Sequence, residues 1–251
     1  MLKSGLVSVT FRKLSPREVV DLVKKSGLDG IEWGGDIHVP HGDLPKAKEA
    51  GAMTRDAGLE VSAYGSYYKV GHSDELAFEP VLDSAAALGA PLIRVWAGKK
   101  GSADADADYR RTIVEDSRRI ADLAAKRGIQ IAYEFHGKTL TDTRDSAVLL
   151  LKEVDHPNMK SLWQAQVKGD IGERLADLDA VTPWLTNVHA YCWEGTTRLP
   201  LAQGAADWAR YLPKLQATGR DHTVLIEFVL DNTPEQFLQD AAALKGWIAA
   251  L

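Results

Sequence analysis

Glu134 and His136 stand two residues apart in the segment Gly128-Ile129-Gln130-Ile131-Ala132-Tyr133-Glu134-Phe135-His136-Gly137. Ile129, Ile131 and Tyr133 alternate with smaller or polar residues, the period of a β-strand. Residues two apart on a strand face the same side. A carboxylate closing a buried strand costs several kcal/mol unless it is paired, metal-bound or at a pocket mouth. The pattern recurs. Residues 159–163 form an apolar run followed by Gln164, Thr186-Asn187-Val188-His189 ends in histidine, and Thr223-Val224-Leu225-Ile226-Glu227-Phe228 carries a glutamate. Carboxylate and imidazole donors suit a divalent ion such as Mn²⁺, Mg²⁺, Co²⁺ or Zn²⁺. Paired glutamates suit proton transfer beside a carbonyl. Each residue alone is more often a surface or satisfied core group; their recurrence at strand ends argues for a shared site.

Bringing these ends together requires the whole chain. Apolar runs at residues 5–9, 29–33, 59–64, 91–96, 129–134, 159–163, 185–191 and 223–228 read as strands. A helical pattern follows each one. The first opens at Ser15-Pro16-Arg17-Glu18, a capping box with proline at the first helical position, and closes at Gly27. Eight alternating units in 251 residues predict an α/β fold, a (β/α)₈ TIM barrel, as one domain spanning residues 1–251. An open doubly wound sheet usually carries a glycine-rich phosphate loop after its first strand. Here that place holds Thr10-Phe11-Arg12-Lys13. In such a barrel Glu134, Gln164, His189 and Glu227 converge at the C-terminal mouth. Trp33, Trp96 and Trp163 end strands two, four and six, Tyr64 ends strand three, and Trp193 follows strand seven. Flat rings around a polar centre suit the C–H faces of a sugar, although tryptophans also fill barrel tops. His38 and His41, in the loop after strand two, are candidates for ligand contact.

The chain resembles the xylose isomerase-like TIM barrel superfamily of sugar phosphate isomerases and epimerases. The likeness rests on Tyr133-Glu134-Phe135-His136, Asn187-Val188-His189, Ile226-Glu227-Phe228, Gly30-Ile31-Glu32-Trp33, and Arg198-Leu199-Pro200-Leu201 with Gly204 and Asp207-Trp208. It covers almost the whole chain. The resemblance implies that Glu134, His189 and Glu227 ligate a metal, with the two glutamates as acid-base pair. It also implies substrate contacts from Arg198 and His136. One departure stands out: the family's strand-six ligand is an aspartate, and Gln164 takes that position here, with Gln166 as the alternative. An amide oxygen still suits a hard cation, but the site loses one negative charge and metal affinity should fall.

The leading expectation is a metal-dependent sugar, sugar phosphate or keto-sugar isomerase or epimerase. Glu134 and Glu227 would exchange the proton, Gln164 would join the metal shell, and Trp33, His38, Tyr64, Trp96, His136 and Arg198 would bind substrate. A lyase or dehydratase on a keto-sugar shares the first step. A metal-free sugar-binding or partner subunit is the reading from a different class, and Gln164 motivates it. Composition narrows the rest. A net charge of -5 gives no reason to bind nucleic acid, and 45% hydrophobic with 26% charged residues is ordinary for a globular chain. The single cysteine, Cys192, forms no intrachain disulfide, so a cytoplasmic setting is expected. Neither a signal-peptide pattern nor a membrane-length apolar run is visible. The expected partner is a small-molecule sugar, and a homo-oligomer is compatible with this reading.

Overall fold

The computed structural model describes residues 1–251. Strand and helix alternate from the start: β1 (Leu2–Val7), α1 (Pro16–Ser26), β2 (Gly30–Gly34), α2 (Leu44–Asp56), β3 (Glu60–Lys69), α3 (Phe78–Leu88), β4 (Leu92–Trp96), α4 (Ala107–Ala125). There follow β5 (Gln130–Glu134), α5 (Arg144–Val154), β6 (Met159–Gln164), α6 (Ile171–Val181) and β7 (Leu185–Ala190). A hairpin of β8 (Cys192–Glu194) and β9 (Thr197–Leu199) precedes α7 (Ala205–Ala217), β10 (His222–Ile226) and α8 (Pro234–Ala249). β1 to β7 and β10 pair in parallel, and β10 closes on β1 with Leu2 opposite His222. This is the expected eight-stranded α/β barrel.

Local chemistry explains the elements. Ser15 caps α1 through the Glu18 N–H while the Glu18 carboxylate accepts from the Ser15 N–H, and Gly27 ends the helix at φ 70°. The short β8–β9 hairpin was not legible in sequence; it stands between β7 and α7, over the mouth. Helix α3 starts only at Phe78, because residues 70–77 form turns.

Two cores result. A cluster of 58 buried apolar residues gathers helix faces and the outward side chains of the strands, so most hydrophobic stabilisation lies outside the barrel wall. Inside, Ala63, Leu92, Ala132 and Leu162 form a layer of only four. Two residues further along β3, β4, β5 and β6, side chains of the same parity are Gly65, Arg94, Glu134 and Gln164. The interior is therefore apolar below and charged above, and the charged layer opens to the mouth.

Candidate active site

Arg94 lies at the centre of that layer, 1% exposed. Its Nε donates to Glu32 Oε1 at 2.7 Å, and its Nη1 donates to Glu134 Oε2. Glu134 Oε2 also accepts from Trp96 Nε1 at 2.6 Å, and Glu134 Oε1 accepts from Gln164 Nε2 at 3.1 Å. Both oxygens of Glu134 are thus engaged. His189 lies beside Glu32 Oε2 through Nε2 at 3.2 Å and beside Gln164 Oε1 through Nδ1 at 3.2 Å. Glu227 Oε2 is 3.4 Å from His189 Nδ1. The Glu227 N–H bonds Ala190 O and the Phe228 N–H bonds Thr10 Oγ1, so Glu227 is held firmly just past β10.

Burial opposes every charge here, and the partners outweigh it. Burial raises the Glu32 carboxyl, but Arg94 and His189 bring it down to about 2. Glu134 is likewise lowered, with burial overcome by Arg94, His189 and His136. Burial lowers His189, yet the flanking Glu227 and Glu32 carboxylates push it up to about 10. Arg94 rises well above its ordinary value for the same reason. At neutral pH Glu32 and Glu134 are therefore ionised and face the cationic Arg94 and His189.

A cavity of about 240 Å³ stands over this layer. Tyr67, Arg94, Trp96, Glu134, His136, Gln164, Tyr191, Trp193, Glu227 and Phe228 line it together with Val167. His136 stacks on Trp96 with ring centroids 4.9 Å apart, and its Nδ1 bonds Gly137 O, leaving Nε2 the basic nitrogen of the neutral ring. Tyr67 and Phe228 both have φ of 55°, a left-handed conformation that bulky residues rarely adopt. Such strain clusters at ligand sites.

Glu134, Gln164, His189, Glu227, Trp96 and His136 therefore come together as expected. Four residues expected to contact substrate, Trp33, Tyr64, His38 and Arg198, do not line the cavity. Trp33 points outward from β2 beneath α2, where its Nε1 donates to Thr54 Oγ1 at 3.1 Å. Tyr64 points outward from β3, its hydroxyl on Val39 O at 2.8 Å and His41 Nδ1 at 2.7 Å. His38 is buried between Ser8 Oγ and Leu14 O. Strand parity is the physical reason for the first two: Glu32 and Gly65 face inward, so their neighbours face out. Arg198 sits at the rim, packed over Trp193 and Phe228 and bonded to Asn232 Oδ1 at 2.6 Å. Gln166 turns away and donates to Asp142 O, which favours Gln164 as the inward residue of its strand. Glu32, Arg94 and Tyr67 are the site residues that sequence reasoning missed. The two-residue spacing from Arg94 to Trp96 was the signal for the second.

Glu134, His189 and Glu227 each offer one ligand atom, all within 4.8 Å of one another. Two ligands at about 2.0–2.6 Å from one ion can stand about 4–5 Å apart, so this group could hold a metal ion in exchange for a proton of His189.

The model describing xylose isomerase-like TIM barrels matches residues 20–247. The chain belongs to that family. A 3-dehydroshikimate dehydratase of Bacillus anthracis is 25% identical over 93% of each chain. Among solved structures, a probable 3-DHS dehydratase from Bacillus anthracis superposes with a TM-score of 0.83 at 23% identity, covering 98% of this chain and 99% of that one. A 3-keto-D-glucoside 4-epimerase from E. coli gives 0.75 at 18%, with both chains fully covered. The family relation places enzymes acting on sugars and related ketones on this barrel. No helix is long and apolar enough to cross a membrane.

Proposed function

We propose that this chain is a dehydratase (lyase) acting on a small hydroxylated ketone, with the ketone and a β-hydroxyl in the cavity over Glu227. One observation carries the choice between elimination and epimerisation. Both Glu134 oxygens already accept hydrogen bonds, whereas Glu227 has only His189 beside it and faces the cavity. Returning a proton to the opposite face needs a second available carboxylate; elimination needs one.

In the proposed reaction the Glu227 carboxylate takes the proton from the carbon next to the ketone. The C–H electron pair becomes a C=C bond and the carbonyl π pair moves to oxygen, giving an enolate. Its collapse restores the carbonyl and expels the β-hydroxyl, which leaves as water with the proton Glu227 carries. Substrate thus becomes an unsaturated ketone plus water, and the protein is regenerated. Trp96 and His136 give the flat wall against which the ring lies. Glu134, His189 and Glu227 would hold a divalent cation, with Gln164 next to them, and such an ion would supply Lewis-acid polarisation of an oxygen. The 25% identity to a 3-dehydroshikimate dehydratase supports this class of substrate. Epimerisation is the second reading, favoured by His136, whose Nε2 could return a proton from another side. The cytoplasm is the compartment we propose, since Cys192 is a free cysteine without a partner.

The test is incubation in D₂O with 3-dehydroshikimate, ketohexoses and 3-keto-glucosides, following the dehydrated product by chromatography and mass spectrometry and deuterium at the α-carbon. Glu227→Gln should lower the rate on the order of 10²–10⁴, with metal content measured in parent and variant. An epimer formed without water loss would replace the lyase reading, and a parent inert toward every ketone would end both.

A further inference from the structure

Arg94 brings three nitrogens to the barrel centre, and two of them are committed to Glu32 and Glu134. The third, Nη2, is buried and has no acceptor in the protein. Buried donors are almost always met by protein, water or ligand. Gly65 and Tyr67 pack closely about it. A Cβ on Gly65 would stand 2.6 Å from Nη2 and 2.8 Å from Glu32 Oε1, so a side chain there would crowd the guanidinium. Tyr67, in its strained conformation, lays its ring 4.9 Å from Arg94 Cζ. Arg94, Tyr67 and Glu227 line the same cavity.

We propose that Arg94 is a catalytic residue whose Nη2–H donates to the ketone oxygen of the substrate and holds the charge that develops there. The role rests on the ketone chemistry proposed above. As Glu227 removes the α-proton, the carbonyl π pair moves to oxygen, and the oxyanion forms against an N–H already in place. Two carboxylates fix the guanidinium plane, so the third nitrogen needs no reorganisation during the reaction, the condition under which such donors act most strongly. The same surroundings select the ligand group. Glu134, bonded to Nη1, and Glu227 share the cavity with Arg94 and repel a full ground-state anion, so the oxygen Nη2 takes is a ketone's and not a carboxylate's.

Parent α-proton exchange with 3-dehydroshikimate in D₂O is measured first. Arg94→Lys keeps a charge but loses the fork; the double change Glu32→Gln/Arg94→Gln removes one charge of each sign, protecting the fold. Each variant should lose on the order of 10²–10³ in kcat for exchange while KM moves less than threefold. A rise in KM at unchanged kcat, or full exchange in a folded variant, overturns the role while leaving the proposed reaction intact. The parent, labelled with ¹⁵N-arginine, gives a second readout that no folding defect can spoil. Adding 3-dehydroshikimate should shift the Arg94 guanidinium N–H signals. In a sample labelled with both ¹⁵N-arginine and ¹⁵N-tryptophan, a Trp96 indole signal that shifts while those of Arg94 stay fixed overturns the proposal. A parent that neither exchanges nor shifts overturns both the reaction and this role.

Discussion

Replacing Glu32 by Gln removes one charge from the centre of the barrel and changes almost nothing in shape. The amide oxygen can still accept from Arg94 Nε, but its NH₂ then meets the His189 Nε2 that Glu32 Oε2 faces at 3.2 Å. The cost can be worked two ways. Glu32 falls from an ordinary 4.5 to about 2; at about 1.36 kcal/mol per pH unit, the folded state favours its ionised form by about 3 kcal/mol. Breaking one partner of a buried ion pair costs about 3–5 kcal/mol. For a chain of this size, about 3 kcal/mol lowers Tm by roughly 6–12 °C. The dependence on pH carries a sign. A depressed carboxyl stabilises the fold above its unfolded value and loses that contribution as pH falls through about 2. His189, raised to about 10, contributes below 6.5 and loses it as pH rises toward 10. Both contributions are whole between about pH 4.5 and 6.5. Differential scanning calorimetry of parent and Glu32→Gln from pH 2.5 to 6.5 should show a Tm gap constant above about pH 5 that narrows steadily in acid. A gap under 2 °C at pH 6, or one that does not narrow below pH 4, would refute the reasoning.

Two further outcomes are expected. Gln164→Asp places a formal charge beside Glu134, His189 and Glu227, so calorimetric titration with Mn²⁺ should show tighter binding, and unchanged affinity would remove residue 164 from the ligand set. Trp33→Phe should leave KM untouched and cost about 1 kcal/mol for the lost bond to Thr54, whereas Trp96→Phe, which removes one of the two donors to Glu134 Oε2 and loosens His136, should alter KM or kcat at least tenfold; equal behaviour of the two would contradict the assigned geometry.

Strand ends were legible because a charge that closes a buried apolar run must find a counter-charge, an ion or a pocket mouth. Glu134, His189 and Glu227 met as that logic requires. Which aromatic faced inward was not legible. A parallel strand is covered on both sides, so Trp33 beneath α2 and Glu32 inside the barrel are equally hidden. Hydrophobic alternation then carries no parity signal. Register also shifts between Ile31 and Glu32 and between Gly65 and Tyr68, and Tyr67, of the same parity as Gly65, lines the cavity in place of Tyr64. Arg94 read as an ordinary charge, because its two carboxylate partners lie 62 and 40 residues away in sequence.

The closure of β10 on β1 has a consequence for how the chain is made. Leu2 cannot meet His222 until the intervening 220 residues have been synthesised. At about 5–20 residues per second, that interval is roughly 11–44 s. Throughout it β1 can pair only with β2, and its other row of backbone N–H and C=O groups lies open to any strand nearby. Codon choice and holding chaperones acting on the emerging chain therefore bear on yield more than on the finished fold. A stall just before β10 would leave an open seven-stranded sheet with two sticky edges.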